Sequence, residues 1–247
     1  MFFWLISPFL VYRWILIAAA VIPAIVLLVK VYRADKLERE PPVLIWSLVI
    51  MGIISTFFAL VSEKVFGLLL GALVQQTSPA YNVILYFVVV AVSEELAKYV
   101  LLKKRTWNHP EFNCLYDGVV YATAVSLGFA LWENISYVTM YGFSTALIRA
   151  VTAVPGHACF GVFMGVFYSL AKGCDYAGQA EKSKLFRILA VVIPVLLHGA
   201  YDYIASMETA DFSWTFIIFV LAMFAVSFIL VNRMSKNDRY LYRSWRR

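Results

Sequence analysis

Long apolar stretches recur along almost the whole chain and constrain its fold more than any other feature. Seven of them approach or exceed the roughly 20 residues that a helix needs to cross a hydrocarbon layer of about 30 Å. Lipid offers the backbone no hydrogen-bond partners, so each stretch is predicted to be a helix. The predicted spans cover residues 14–31, 43–62, 81–102, 116–140, 147–171, 186–206 and 212–231.

The composition excludes most soluble classes of protein. Of the 247 residues, 62% are hydrophobic and only 15% are charged, against about 25% in ordinary soluble domains. One globule of this size could not remove so much apolar surface from water. A soluble enzyme, a disordered chain and a nucleic-acid module are therefore excluded, and no nucleic-acid partner is expected. We predict an all-α, polytopic transmembrane helical bundle, with residues 1–247 forming one domain in the lipid bilayer.

The basic residues predict the orientation of the chain. Seventeen of the 21 Lys and Arg residues fall in the odd-numbered loops or in the C-terminal tail. The tail holds Arg233, Lys236, Arg239, Arg243, Arg246 and Arg247. Arg13, Lys64 and Arg149 fall on the other side, and Lys98 lies inside a span. Because cytoplasmic loops carry an excess of Lys and Arg, the C-terminus is predicted to be cytoplasmic and the N-terminus outside, as in a multi-pass protein of the plasma membrane.

Some local features carry expectations of their own. The segment 63–80 could extend the second span, lie on the membrane surface or re-enter the membrane. Asp117 opens the fourth span and is expected to act as its N-cap. Gly161 and Gly165 form a small-xxx-small pattern, which predicts a close approach between two helices. Pro155 is expected to loosen or kink the fifth span.

Ionisable residues inside the predicted spans are the best guide to function. They are Glu94, Glu95, Lys98, Glu133, His157, His198 and Asp202. A charge at mid-bilayer costs about 2.5–3.5 kcal/mol, so five unpaired charges would cost on the order of 15 kcal/mol. These groups must therefore be paired, protonated, metal-bound or in a water-filled cavity. Residues four apart share a helix face, which joins Glu94 to Lys98 and His198 to Asp202.

The chemistry of this set points to hydrolysis. Four carboxylates and one lysine leave an excess of negative charge, which favours either proton uptake or a divalent cation. Imidazole and carboxylate ligands suit zinc, which can activate a water molecule. Without a metal, a glutamate could activate the water while a His or Asp stabilises the oxyanion. Both routes lead to cleavage of an amide bond, and the sequence leaves the choice between them open.

Four motifs at these residues resemble those of the PrsW family of intramembrane proteases, which is distantly similar to the type II CAAX prenyl endopeptidases. The motifs are EExxK at 94–98, FxxxE at 129–133, the histidine of Pro155-Gly156-His157, and HxxxD at 198–202. They fall in order on four successive spans. The resemblance implies a CAAX-protease-like catalytic core over about 81–206. The CAAX relatives carry a histidine where this chain has Glu133, so prenyl-peptide cleavage is not expected.

The resemblance also implies a substrate and a role for each residue. The substrate would be a single-pass membrane protein, an anti-sigma factor, whose site-1 cleavage leads to activation of a sigma factor in a stress response. Glu94 would be the general base, and Glu95 the alternate base or the partner of Lys98. Glu133, His157 and His198 would hold Zn²⁺ or the water molecule. Asp202 would be an orienting residue or a fourth ligand.

Two other functions are compatible with the same residues. Buried acids and histidines also form the proton relays of proton-coupled or ion-coupled transporters. The polar cluster could instead join the helices of a membrane scaffold without catalysis. An intramembrane endopeptidase remains the preferred interpretation, because the four motifs occur together and in order.

Overall fold

The computed structural model describes residues 8–207 and 210–242 as a bundle of helices. In chain order they are α1 (Pro8–Ala34), α2 (Pro42–Leu73), α3 (Pro79–Ile84), a π-helical turn (Leu85–Val90), α4 (Ala91–Thr106), α5 (Asp117–Tyr141), α6 (Phe143–Val151), α7 (Ala153–Tyr176), α8 (Ala180–Ala205) and α9 (Ala210–Lys236). The predicted all-α, polytopic helical bundle is confirmed.

Five helical stretches in the described part of the chain are long and apolar enough to cross a membrane. They are Leu10–Ala34, Pro42–Leu73, Phe143–Tyr176, Ala180–Ala205 and Ser213–Lys236. The other two predicted spans fall on the helical segment 79–106 and on α5, which carry Glu94 and Glu133. The count of seven spans and the orientation stay predictions. Arg243, Arg246 and Arg247 of the basic tail lie outside the described residues.

The ambiguous segment 63–80 mostly continues the second span. Helix α2 runs without interruption to Leu73, and the chain becomes extended at Val74. The side chain of Ser78 then accepts a hydrogen bond from the backbone N–H of Ala80 at 3.3 Å and starts α3. Of the three alternatives, extension of the helix is therefore the one adopted up to Leu73.

Helix α5 lies at the centre of the bundle, with α1, α2 and α7 packed around it. The predicted close approach at Gly161 and Gly165 is confirmed on the face of α7 that meets α5. A Cβ atom added at Gly165 would lie 2.5 Å from the backbone of Gly118 and Val119. One added at Gly161 would lie 2.8 Å from the side chain of Ser126. These contacts hold the site-bearing parts of α5 and α7 at a fixed separation.

The predicted fifth span is two helices rather than one continuous helix. The break between α6 and α7 lies at Thr152, three residues before Pro155. Pro155 therefore falls in the first turn of α7, where a backbone N–H has no partner within the helix and its absence costs little. The break places His157 close to the beginning of α7 and brings α6 beside the end of α5.

The expectation that Asp117 caps its own helix is wrong. Its Oδ2 atom accepts hydrogen bonds from the backbone N–H groups of Asn113 and Cys114, at 2.9 and 2.6 Å. Both donors precede α5, so the carboxylate holds the incoming loop and not the first turn of the helix. The N-cap position is Tyr116, which makes no side-chain capping bond.

Candidate active site

The ionisable residues of the four motifs meet around one partly open cavity of about 620 Å³. Its lining includes Glu94, Glu133, His157, His198 and Asp202. These side chains come from α4, α5, α7 and α8, so no single helix could form the site. The cavity is within the size range of small-molecule and substrate pockets, which is roughly 300–1,000 Å³.

Lys98 occupies the centre of the polar cluster, behind the cavity. Its Nζ atom lies 2.7 Å from Oε1 of Glu95 and 3.2 Å from Oε2 of Glu94. It also lies 3.3 Å from Nδ1 of His157 and 4.0 Å from the centre of the Phe129 ring. Because the side chain is fully buried, these contacts replace the water that the ammonium group would otherwise need.

The two adjacent glutamates of α4 have different environments. Glu94 lines the cavity and keeps 8% of its side chain exposed. Glu95 has no exposed side-chain surface, and its Oε1 atom contacts both Lys98 and His198. Glu94 can therefore reach a substrate, whereas Glu95 connects α4 to α8 and fixes the charges around it. The sequence could not assign different roles to Glu94 and Glu95. Adjacent residues on a helix face different directions, and the sequence does not show which of them faces the cavity.

His157 joins α7 to both α4 and α5. Its Nε2 atom lies 2.8 Å from Oε2 of Glu133, and its Nδ1 atom faces Lys98. An ammonium group can only donate, so Nδ1 accepts from Lys98, and Nε2–H donates to Glu133. The backbone is held as well, because the hydroxyl of Ser126 donates to the carbonyl of His157 at 2.6 Å.

His198 is surrounded by carboxylates on both sides of its ring. Its Nδ1 atom lies 2.9 Å from Oε1 of Glu95, which suits donation of Nδ1–H to that carboxylate. Its Nε2 atom lies 3.3 Å from Oδ2 of Asp202 and 3.9 Å from Oε2 of Glu94. Phe160 stacks on the ring at a centroid distance of 4.7 Å and fixes its plane.

Sequence reasoning missed Arg149 and Glu63 as members of the site. The Nη2 atom of Arg149 lies 2.8 Å from Oε2 of Glu133, and its Nε–H donates to Oδ1 of Asn134 at 2.9 Å. It therefore offsets part of the predicted excess of negative charge. Glu63 of α2 also lines the cavity and adds another carboxyl group. The position of Arg149 within the fifth predicted span, two turns before His157, was the signal that could have found it.

The donor atoms of the site are compatible with a metal ion. Among the described residues, Glu94, Glu95 and His157 offer ligand atoms within 4.8 Å of one another, although the Lys98 ammonium contacts all three residues. On the cavity side, His198 Nε2 lies 3.3 Å from Asp202 and 3.9 Å from Glu94. Ligands of a tetrahedral zinc ion are about 3.3 Å apart, given bonds of roughly 2.0–2.1 Å.

The predicted metal ligands Glu133, His157 and His198 all line the cavity but do not form so tight a trio. Glu133 contacts His157, and the two imidazole rings lie 5.4 Å apart between centroids at an angle of 85°. The side chains provide imidazole nitrogen and carboxylate oxygen, which are ordinary zinc ligands. Their chemistry therefore fits a metal, while the assignment of these three as its ligands stays a prediction.

Together the fold and the site define a polytopic membrane protein with a hydrolase-type centre of acids and histidines buried among its helices. A family model described as PrsW family intramembrane metalloprotease matches residues 40–231. The chain belongs to that family and is an intramembrane protease, so the transporter and scaffold alternatives are set aside. No solved structure gives a significant match.

Several relatives named Protease PrsW cover most of the chain. The protein from Geobacillus kaustophilus is 34% identical over 189 residues, which are 76% of this chain and 79% of the relative. The protein from Oceanobacillus iheyensis is 31% identical over 90% of this chain and 97% of the relative. The protein from Bacillus subtilis is 30% identical over 85% of this chain and 89% of the relative.

Proposed function

We propose that this protease cleaves a single-pass protein of the plasma membrane, an anti-sigma factor, at a first site that leads to activation of a sigma factor. The observation that carries the proposal is the meeting of Glu94, Glu133, His157, His198 and Asp202 on one cavity between membrane helices. A substrate that crosses the membrane once can present an unfolded backbone to such a cavity. The predicted outside N-terminus and the motif positions favour a cut near the extracytoplasmic face.

Glu94 is the general base in this proposal. It is the only residue of the Glu94–Glu95 pair that lines the cavity, so only its carboxylate can take a proton from a water molecule placed there. Lys98, 3.2 Å from Oε2 of Glu94, holds that carboxylate in position. The proton accepted by Glu94 can then pass to the leaving amine, as general acid–base catalysis requires. Glu95 is assigned a positioning role through Lys98 and His198.

Glu133, His157 and His198 would hold a zinc ion or the attacking water. When bound, a zinc ion supplies Lewis-acid chemistry, which polarises a carbonyl group and makes a coordinated water acidic near neutral pH. Both nitrogens of His198 face carboxylate oxygens, an environment that suits a cation between Nε2 and Asp202. Glu95 and Asp202 would orient the imidazole of His198, as carboxylates commonly do beside metal-binding histidines. In a metal-free site, the same histidines would stabilise the oxyanion.

The direct test is cleavage of a defined substrate by the full-length protein. The chain is reconstituted in lipid vesicles with a single-pass anti-sigma factor, and the products are identified by mass spectrometry. We expect one cut on the extracytoplasmic side of the substrate helix, sensitive to chelators and restored by Zn²⁺. Cleavage of other single-pass proteins but not of the anti-sigma factor would contradict the proposed substrate. Cleavage that resists chelators, with no metal in the purified protein, would contradict zinc and favour the metal-free route.

Variants connect the cleavage to the proposed residues. Glu94→Gln should abolish the product while leaving the helical content and detergent elution volume unchanged. The matched control is Glu181→Gln, because Glu181 is an exposed glutamate in the first turn of α8, away from the cavity. Full cleavage by a folded Glu94→Gln variant would contradict its role as general base.

A further inference from the structure

A second group of carboxylates lies at the far end of α5 from the active site. Asp35 follows α1, Glu40 precedes α2, and Asp117 begins α5. Oxygen atoms of the three residues lie within 4.8 Å of one another. All three residues are buried, with exposed fractions of 0%, 3% and 1% in the same order. Asp117 and Glu133 are separated by about 24 Å along α5 at 1.5 Å per residue, so this group is distinct from the catalytic cavity.

Most oxygen atoms of this carboxylate group have no hydrogen-bond partner among the described residues. Both oxygens of Asp35, Oε2 of Glu40 and Oδ1 of Asp117 are buried and unbonded. Oδ2 of Asp117 accepts from the two backbone N–H groups of the preceding loop. A buried carboxylate with no partner is expensive, and three of them together repel one another.

The uncharged hydroxyl group of Tyr121 also faces this carboxylate group. Tyr121, one turn along α5 from Asp117, is fully buried, and its hydroxyl group makes no hydrogen bond of ordinary length with a described residue. The hydroxyl lies on the side of Glu40 and Asp117 and interacts with both electrostatically. Four polar side chains from two segments of the chain, the α1–α2 connection and the start of α5, therefore converge on one small volume, and several of their oxygen atoms make no hydrogen bond. Buried polar atoms are normally hydrogen-bonded, so this convergence of oxygen atoms suits the binding of a ligand.

The chemistry of the donors identifies the class of ligand. All of them are oxygen atoms, which are preferred by hard divalent cations such as Mg²⁺ and Ca²⁺ and not by softer metals. With metal–oxygen bonds of about 2.0–2.6 Å, two ligands on opposite sides of such a cation are roughly 4–5 Å apart, which matches the observed limit.

We propose that Asp35, Glu40 and Asp117 bind a hard divalent cation, Mg²⁺ or Ca²⁺, which joins the α1–α2 connection to the start of α5. The surrounding structure gives the cation a mechanical role. Asp238, beyond α9, accepts a hydrogen bond from the backbone N–H of Tyr116 at 2.8 Å. The segment after it pairs with the loop before α5, because Leu241 N–H donates to the carbonyl of Asn113 at 2.7 Å. The cation would thus stabilise the point where the first, central and last helices meet.

The test uses Tb³⁺, a luminescent substitute for Ca²⁺ and Mg²⁺ that is excited through nearby tyrosine rings. Purified full-length protein in detergent is titrated with Tb³⁺ while tyrosine is excited, and the signal is then competed with Mg²⁺ or Ca²⁺. We expect saturable emission at one site, displaced by whichever of the two cations the protein selects. Addition of that cation without Tb³⁺ should raise the thermal unfolding temperature, because a ligand that binds the folded state stabilises it.

Variants locate the binding. Asp35→Asn and Glu40→Gln should each weaken Tb³⁺ binding by about tenfold or more, since affinity at such sites follows the number of charged ligands. The matched control is Asp202→Asn, which removes a carboxylate from the active-site cavity and should leave this signal intact.

Two results would overturn the proposal. The first is wild-type protein with no saturable Tb³⁺ signal and no thermal shift with Mg²⁺ or Ca²⁺. The second is a signal that survives in Asp35→Asn and Glu40→Gln but disappears in Asp202→Asn, which would assign the binding to the catalytic cavity. Both readouts are independent of cleavage, so failure here leaves the proposed protease substrate and mechanism untouched.

Discussion

The Nε2 atom of His157 lies 2.8 Å from Oε2 of Glu133, which joins the beginning of α7 to the later part of α5. The same Glu133 oxygen lies 2.8 Å from Nη2 of Arg149 on α6. One carboxylate oxygen thus links three helices at the wall of the cavity. The site depends on such contacts between helices.

The two glutamates of α4 should differ when each is replaced by glutamine. Glu94→Gln should reduce kcat by about 10²–10⁴-fold, the usual contribution of a general base, with little change in stability. Glu95→Gln should instead lower the unfolding temperature, because it removes the carboxylate that contacts both Lys98 and His198. Kinetics and thermal unfolding of the two variants side by side provide the measurement. Equal loss of kcat with equal stability would contradict the separate roles.

Lys98 should stabilise the folded protein because it neutralises buried glutamates. Lys98→Met leaves Glu94 and Glu95 without their partner and should destabilise the protein by about 3–5 kcal/mol, as broken buried ion pairs do. Adding Glu95→Gln should recover part of that loss, since it removes one of the stranded charges. Lys64→Met, at an exposed lysine of α2, is the control. Chemical unfolding in detergent measures the differences, and a Lys98→Met variant as stable as Lys64→Met would refute this role.

Arg149 should support catalysis through Glu133. Arg149→Gln removes the ion pair with Glu133 and the hydrogen bond to Asn134 that positions the guanidinium, and should lower kcat by roughly tenfold or more. Arg149→Lys should restore part of the activity, because it keeps the positive charge beside Glu133. The comparison of kcat and KM for the two variants is the measurement. An unchanged kcat in Arg149→Gln would show that Glu133 does not need this contact.

The contact between α5 and α7 should not tolerate a side chain at Gly165. A Cβ atom there would lie 2.5 Å from the backbone of α5, so Gly165→Ala must push the helices apart. We expect a loss of about 1–3 kcal/mol from overpacking, together with reduced cleavage. Gly71→Ala is the matched control, because a Cβ atom at Gly71 has nothing within 4 Å. The measurement is the thermal unfolding temperature of the two variants, which should be lower for Gly165→Ala. Similar unfolding temperatures would contradict the close approach.

The sequence predicts which residues form the site because charges are expensive in lipid. That cost required Glu94, Glu133, His157 and His198 to find partners, and the four motifs made the family recognisable. The i, i+4 spacing also predicted the contact between Glu94 and Lys98, which the structure has at 3.2 Å. Such inferences succeed because they depend on local spacing and on the solvent, and not on how helices are rotated against each other.

The remaining details depend on tertiary contacts that a single sequence does not contain. The rotation of α4 decides that Glu94 and not Glu95 lines the cavity. The break at Thr152 brings Arg149 onto Glu133, whereas charge counting had placed Arg149 only on the outer side of the membrane. Asp117 looked like a helix cap, but the loop before α5 folds back and takes its carboxylate. In each case the deciding partner comes from another segment of the chain.

The most direct measurement is a double-mutant cycle on Glu133 and His198, which both line the cavity but contact different partners. Cleavage rates are compared for Glu133→Gln, His198→Gln and the double variant, after each is shown to be folded. If both residues serve one catalytic centre, the double variant should be hardly slower than the slower single variant, because residues that act as a unit are strongly non-additive. Losses that multiply, or a single variant that cleaves at the wild-type rate, would contradict a shared centre.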